Sequence, residues 1–140
     1  MATNLKVKSG NKVVISFDGA QVGMAQSCDS SDDYAPEPAS GIGDIHVQEW
    51  VPTMARHTLQ VEEMVLKSSS LRSQGIAAEN ADAMLAGTVF DILIMGKEDG
   101  GILRKYTKCS YASGSVRVHK HAIVIASGTF YGLDASGTGA

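Results

Sequence analysis

The stretch from Gly41 to Lys67, G-I-G-D-I-H-V-Q-E-W-V-P-T-M-A-R-H-T-L-Q-V-E-E-M-V-L-K, decides the fold. From Asp44 to Val51 apolar and polar residues nearly alternate, with Ile45, Val47 and Val51 set against Asp44, His46 and Gln48 until Glu49 and Trp50 break the pattern. Alternation resumes from His57 to Leu66, with Leu59, Val61 and Val65 on one side. A period of two means strands with one buried face. Pro52 falls between the runs, where its missing N–H removes nothing from a ladder. The stretch predicts two long strands joined near residues 51–53, with Ile45, Val47, Trp50, Leu59 and Val61 as the core of the pair. It holds no catalytic constellation.

The 140 residues form one ordinary domain, spanning 1–140. A hydrophobic content of 44% with 19% charged residues is globular rather than disordered. The net charge of −3 provides no basic footprint for tight, salt-dependent binding of nucleic acid. No apolar run is long enough to span a bilayer as a helix. The start, Met1-Ala2-Thr3, reads as cytoplasmic, with no secretory signal. The two cysteines, Cys28 and Cys109, are therefore expected as reduced, buried small hydrophobes.

Outward from the deciding stretch, Met1 to Asn11 is a polar arm carrying isolated Leu5 and Val7. Strands are expected at 12–17 and 21–28, joined by the tight-turn pair Asp18-Gly19. Residues 29–40, D-S-S-D-D-Y-A-P-E-P-A-S, read as a long acidic loop. Helical signals are confined to a capped turn near Leu71, closed by Gly75, and to Ala-rich residues 79–85 before Gly87. Further strands are expected at 88–95, broken in hydrophobicity only by Asp91, at 102–111, at 116–119 after a turn at Ser113-Gly114, and at 122–131. A hairpin turn is expected at Glu98 to Gly101. The Gly/Ser-rich residues 133–140 are expected to fray as a flexible tail. The fold class is mostly β, a β-sandwich or partial barrel of about seven strands with one or two short helices.

Candidate chemistry is sparse. His119 and His121 share a strand face in this reading, but zinc needs a third ligand that no spacing supplies. Gly41-Ile42-Gly43 lacks the third glycine of a phosphate-binding turn and opens a strand. Glu62 and Glu63 point to opposite faces, so they form no carboxylate dyad. Asp32-Asp33, with Glu37 nearby, offers too few oxygens for a calcium loop. The sequence predicts no catalytic, cofactor-binding or metal site. The polarity is unusual: long strands stay polar along one face, which suits sheets joined edge to edge in an assembly.

In the order of its elements the chain resembles the tail tube proteins of contractile-tailed bacteriophages. The resemblance rests on the hairpin V-V-I-S-F-D-G-A-Q-V-G, the loose loop, the strand pair I-G-D-I-H-V-Q-E-W-V-P-T-M-A-R-H-T-L-Q-V, a short helix, G-T-V-F-D-I-L-I and the final G-T-F-Y-G-L. It implies a non-enzymatic virion protein, made in the host cytoplasm, that self-assembles into stacked hexameric rings. The implied tube lies inside a contractile sheath, meets baseplate, terminator and tape measure proteins, and passes DNA without reading its sequence or entering a membrane. It implies ring-to-ring contacts through Asp29, Asp32, Asp33, Tyr34 and Glu37 of the loop and through Leu5 and Val7 of the arm. The type VI secretion tube protein shares the implied fold and is a second reading. A small β-barrel ligand-binding module, its cavity lined by Trp50, Phe90 and Tyr106, is a third.

Overall fold

The structure, a computed structural model, describes residues 13–18, 24–65, 71–73, 75–96 and 101–139. Its strands are β1 (Val13–Phe17), β2 (Met24–Asp33), β3 (Glu37–Ala39), β4 (Glu49–Val51), β5 (Arg56–Met64), β6 (Phe90–Gly96), β7 (Ile102–Arg117), β8 (Ile125–Gly132) and β9 (Asp134–Ser136). One short helix, α1 (Ala81–Leu85), lies between β5 and β6. Six strands form a curled half-barrel in the order β1-β6-β7-β8-β5-β2, with β9 added beside β7. The β3 and β4 strands pair with each other, off this sheet.

The long strand β7 makes the curl. Its first half pairs with β6 and β9, and its second half, from Ser110, pairs with β8. At the changeover Lys108 adopts a left-handed φ of 51°, and the ladder slips so that Phe90 faces Cys109 while Ile92 faces Tyr106. Such a bulge bends a strand and increases its twist. Asp91, the lone acid in the apolar β6 run, holds the bulge: its Oδ1 accepts from the Lys108 N–H at 3.1 Å. Its own backbone is tied to Asp18, whose Oδ1 accepts from the Asp91 N–H at 2.7 Å and whose N–H donates to the Asp91 carbonyl at 2.8 Å.

The core fills the curl with Phe17, Leu59, Val61, Phe90, Ile92, Tyr106, Cys109 and Phe130. Phe130 is central, with ring centroids 5.8 Å from Phe17, 5.6 Å from Phe90 and 5.8 Å from Tyr111 in tilted or edge-on geometry. Leu71 and Ala77, from the segment before α1, close the core. The helix itself contributes no buried residue, and Asn80 caps it by accepting from the Ala83 N–H. Gly114 is required where it stands, because a Cβ there would meet the Tyr111 hydroxyl and lie 2.7 Å from the Ser127 carbonyl oxygen.

Several expectations are corrected. Ile45, Val47 and Trp50 are not core: Ile45 is 94% exposed, Val47 41% and Trp50 61%. Asp44 folds the chain back, its Oδ2 accepting from the Gly41 N–H at 2.7 Å while Gly43 takes a φ of 90°. Only Glu49–Val51 of that run is a strand, and it pairs with β3, so its side chains have no barrel to fill. Leu59 and Val61, on β5 within the sheet, are fully buried. The expected loop at 29–40 is mostly strand, because β2 continues along β5 to Asp33 and residues 37–39 form β3. Strands β1 and β2 do not form a hairpin with each other; β1 pairs with β6 and β2 with β5. No turn interrupts β7 at Ser113-Gly114, and His119 and His121 sit in the following turn rather than on a strand. The tail is ordered through β9 and a Gly139 N–H to Leu103 carbonyl bond of 3.2 Å. Trp50 stands apart from buried Phe90 and Tyr106, so the three line no common cavity. The arm at 1–11 and the turn at 98–100 lie outside the described residues.

Phe130→Ala removes the ring on which three other aromatics pack and is expected to lower stability by about 3–5 kcal/mol. The urea midpoint of the purified subunit measures this.

Candidate functional site: the assembly surfaces

Two surfaces stand out, and neither is a pocket for a reacting substrate. The first is the outward face of β2, β5, β8 and the second half of β7. Pairing places Asp29 beside Gln60 and Thr129, Ser31 beside Thr58 and Tyr131, and Ser27 beside Glu62 and Ser127. Ser110, Ser113 and Ser115 of β7 continue these rows. The Ser115 and Ser127 hydroxyls hydrogen-bond across the strands at 2.6 Å. The face is a carpet of hydroxyls and amides, while the same strands bury Leu59, Val61 and Phe130 on the other side. Among the described residues the two ends of the strand order, β1 and β2, are paired on one side only. An unpaired edge such as the ten-residue β2 is a ready template for a strand from another chain.

The second surface is the β3–β4 arm, which projects from the end of β2. The Tyr34 carbonyl anchors its return limb by accepting from the Thr53 N–H at 3.1 Å and the Met54 N–H at 3.4 Å. The Asp33 carboxylate accepts from the Ala35 N–H at 2.9 Å, where Ala35 has a positive φ of 44°. Below this, Asp32 bridges the two halves of the sheet: its Oδ1 bonds His57 Nδ1 at 2.6 Å and its Oδ2 accepts from Arg104 Nη2 at 3.0 Å. Arg104 also donates to the Gly137 carbonyl at 3.0 Å and lies 5.4 Å over the Tyr106 ring. Tyr34 stacks edge-on against His57, with centroids 6.1 Å apart. The network joins the arm, the barrel and the C-terminal strand.

Of the loop residues singled out in the sequence, Asp32 and Tyr34 converge on His57, Asp29 and Asp33 sit on the outward face of β2, and Glu37 lies on the arm. Leu5 and Val7 are outside the described residues. His57 and Arg104 carried no signal in the sequence, since their shared partner Asp32 is 25 and 72 residues away. A local signal for the hydroxyl rows is Ser127 and Thr129, alternating about Gly128 in β8. Cys28 and Cys109 are free thiols, each pushed up to about 11, chiefly by burial. Among the described residues no cluster of three or more His, Cys, Asp or Glu side chains could hold a metal, and no helix is long and apolar enough to cross a membrane.

An enclosed core, an unsheathed polar face, open sheet edges and a projecting arm define a subunit built to meet copies or partners. Residues 2–136 match the Phi812 tail tube protein family, and the chain belongs to that family. It is a structural tail tube protein. Its fold is shared with solved structures at low sequence identity. The tail of an empty gene transfer agent particle, refined with C6 symmetry, matches with a TM-score of 0.69 at 10% identity, over 94% of this chain and 99% of that one. The sheath–tube complex of an extracellular contractile injection system in the extended state matches at 0.67 and 13%, over 91% and 88% of the two chains. The SPP1 tail tube matches at 0.66 and 11%, over 91% and 76%. No curated protein sequence matches the chain significantly.

Glu63 is a fully buried carboxyl on the core side of β5. Its Oε1 accepts from the Leu71 N–H at 2.9 Å, while Oε2 has no partner among the described residues. Burial raises its pKa, against the smaller opposing effect of the Leu71 bond. The folded protein therefore holds a proton that the unfolded chain releases above its ordinary value of 4.5. The native advantage of the neutral form is complete below that value and is lost as pH rises through the folded pKa. Glu63→Gln is expected to match the natural protein in acid and to exceed it at neutral pH, by about 1.4 kcal/mol per unit of upward shift. Urea midpoints of both proteins across pH 4 to 8 measure the divergence.

Proposed function

We propose that the subunit assembles into stacked hexameric rings that form the tube of a contractile tail, within the virion. The observation that carries this reading is the open half-barrel with its outward hydroxyl face. A ring joins the free edge of one copy to the free edge of the next, so that the β2 backbone finds the partners it lacks. The outward faces then line a continuous lumen. Ser, Thr and Gln bring no positive charge to hold phosphate, and Asp29, Asp33 and Glu62 outnumber Arg56 and Arg117 on this face. Such a wall repels DNA weakly and grips it nowhere, which suits passage without sequence recognition. The structural relatives, which include subunits of a sheath–tube complex, a six-fold baseplate and a sheath/tube terminator, support sheath, baseplate and terminator proteins as partners. A tape measure protein would occupy the lumen before DNA does. The function is structural and non-enzymatic, and synthesis takes place in the host cytoplasm.

Electron microscopy of the purified, concentrated protein is expected to show rings with a central hole and stacks of them. A compact monomer at every concentration, salt and pH would overturn the reading.

A further inference from the structure

The two ends of the sheet are chemically opposite. At one end is the arm, whose tip presents Ile42 and Ile45 almost fully to solvent, while Trp50 on β4 is 61% exposed. Residues 33–55 carry Asp33, Glu37, Asp44 and Glu49 and no lysine or arginine. The other end is fixed by pairing: Met64 lies beside Ile125, and Ile125 beside Arg117, so the β7–β8 turn is at the far end of β5 from Arg56. At this end Val118 and Ile123 are exposed, together with Arg117 and Lys120. Residues 110–133 contain no acid.

Beside the turn is an apolar pocket of about 140 Å³ lined by Val65, Leu71, Ala77, Val116 and Val124, with Arg72 at its wall. An apolar cavity of about 150 Å³ is large enough for a benzene-sized group. It therefore accepts one branched aliphatic side chain and excludes a whole tryptophan. Nine residues of β5, about 30 Å at ~3.3 Å per residue, separate the root of the arm from the pocket, and Ile45 is 94% exposed, so the tip does not occupy its own subunit's pocket.

We propose that the arm tip of one subunit docks in the pocket of a second copy in the next ring, with Ile45 seated between Val116 and Val124. Asp44 and Glu49 then face Arg72, Arg117 and Lys120 of that copy. The contact is head-to-tail, so each subunit uses both ends and the series continues without closing. Exposed isoleucines at a loop tip are a liability in a lone subunit and are covered by this contact. The proposal rests on the stacked-ring reading and names its receiving surface; it also moves the ring-to-ring contact from residues 29–40 to the segment beyond them.

The test uses the full chain with Ile45→Cys and Val116→Cys together. Intrachain pairing is not expected, because Ile45 is 94% exposed and does not pack on Val116 of its own chain, whereas a disulfide needs Cα atoms about 5.5 Å apart. Cys28 and Cys109, with thiols pushed up to about 11, stay protonated and do not compete. Mild oxidation of the concentrated double variant is expected to give a ladder of linked subunits extending beyond dimers, whereas each single variant stops at a dimer. In parallel, Ile45→Asp is expected to keep rings and the native circular dichroism spectrum while stacks fall at least tenfold in electron micrographs. A double variant that links no further than the singles, or normal stacks with Ile45→Asp, overturns the docking and leaves the stacked-ring reading intact. A ladder from protein that never forms rings upholds the docking and overturns the stacked-ring reading.

Discussion

The curl of the sheet depends on one carboxylate. Asp91 accepts from the Lys108 N–H at the point where β7 leaves β6 and begins to pair with β8. A flat continuation of β7 would put Phe90 and Phe130 on a single open sheet, with no second layer to cover them. With the bulge in place, the two halves of β7 face each other across Phe17, Phe90, Phe130 and Tyr111. Asp18 extends the clamp to the end of β1, so the last strand of the curl is fastened at the same place. The left-handed φ at Lys108 is a local strain that this bonding offsets.

What was legible in the sequence was whatever shows itself within one strand. The alternation of β5 placed Leu59 and Val61 correctly in the core, and the Ala-rich run 79–85 before Gly87 marked the helix. Asp91 stood out as the exception in an apolar run, although its role required a partner 17 residues away. The first half of the deciding stretch misled, because an alternating pattern says nothing about whether the chain turns. Asp44 supplies its own turn by bonding the Gly41 N–H, and Ile45 and Val47 leave the barrel. The Asp32–His57 and Asp32–Arg104 contacts span 25 and 72 residues and have no local signature. The Gly-rich tail looked featureless because β9 is held by backbone pairing with β7, which composition does not report.

The division of labour follows from the same pleat. Each strand of the β2–β5–β8 group turns one row of side chains into the aromatic core and the other outward as hydroxyls, amides and a few acids. Stability and surface chemistry are thus set by alternate residues of one segment, and either can change without moving the backbone. On β5 the inner row departs from apolar at His57 and at Glu63, a carboxyl whose pKa burial raises where an aliphatic would be expected. Its Oε1 closes the connection to Leu71, so the segment that seals the core is fastened from within.

The pairing of β5 with both β2 and β8 also restricts how the subunit can change its height. Inserting one residue in β5 would exchange Leu59 and Val61 with Thr58, Gln60 and Glu62, turning the inner row outward. Two residues restore the facing, and matching insertions in β2 and β8 restore the ladders. A change in the length of β5 that keeps this facing without adding a bulge therefore comes in dipeptide steps of about 7 Å, made in adjacent strands together.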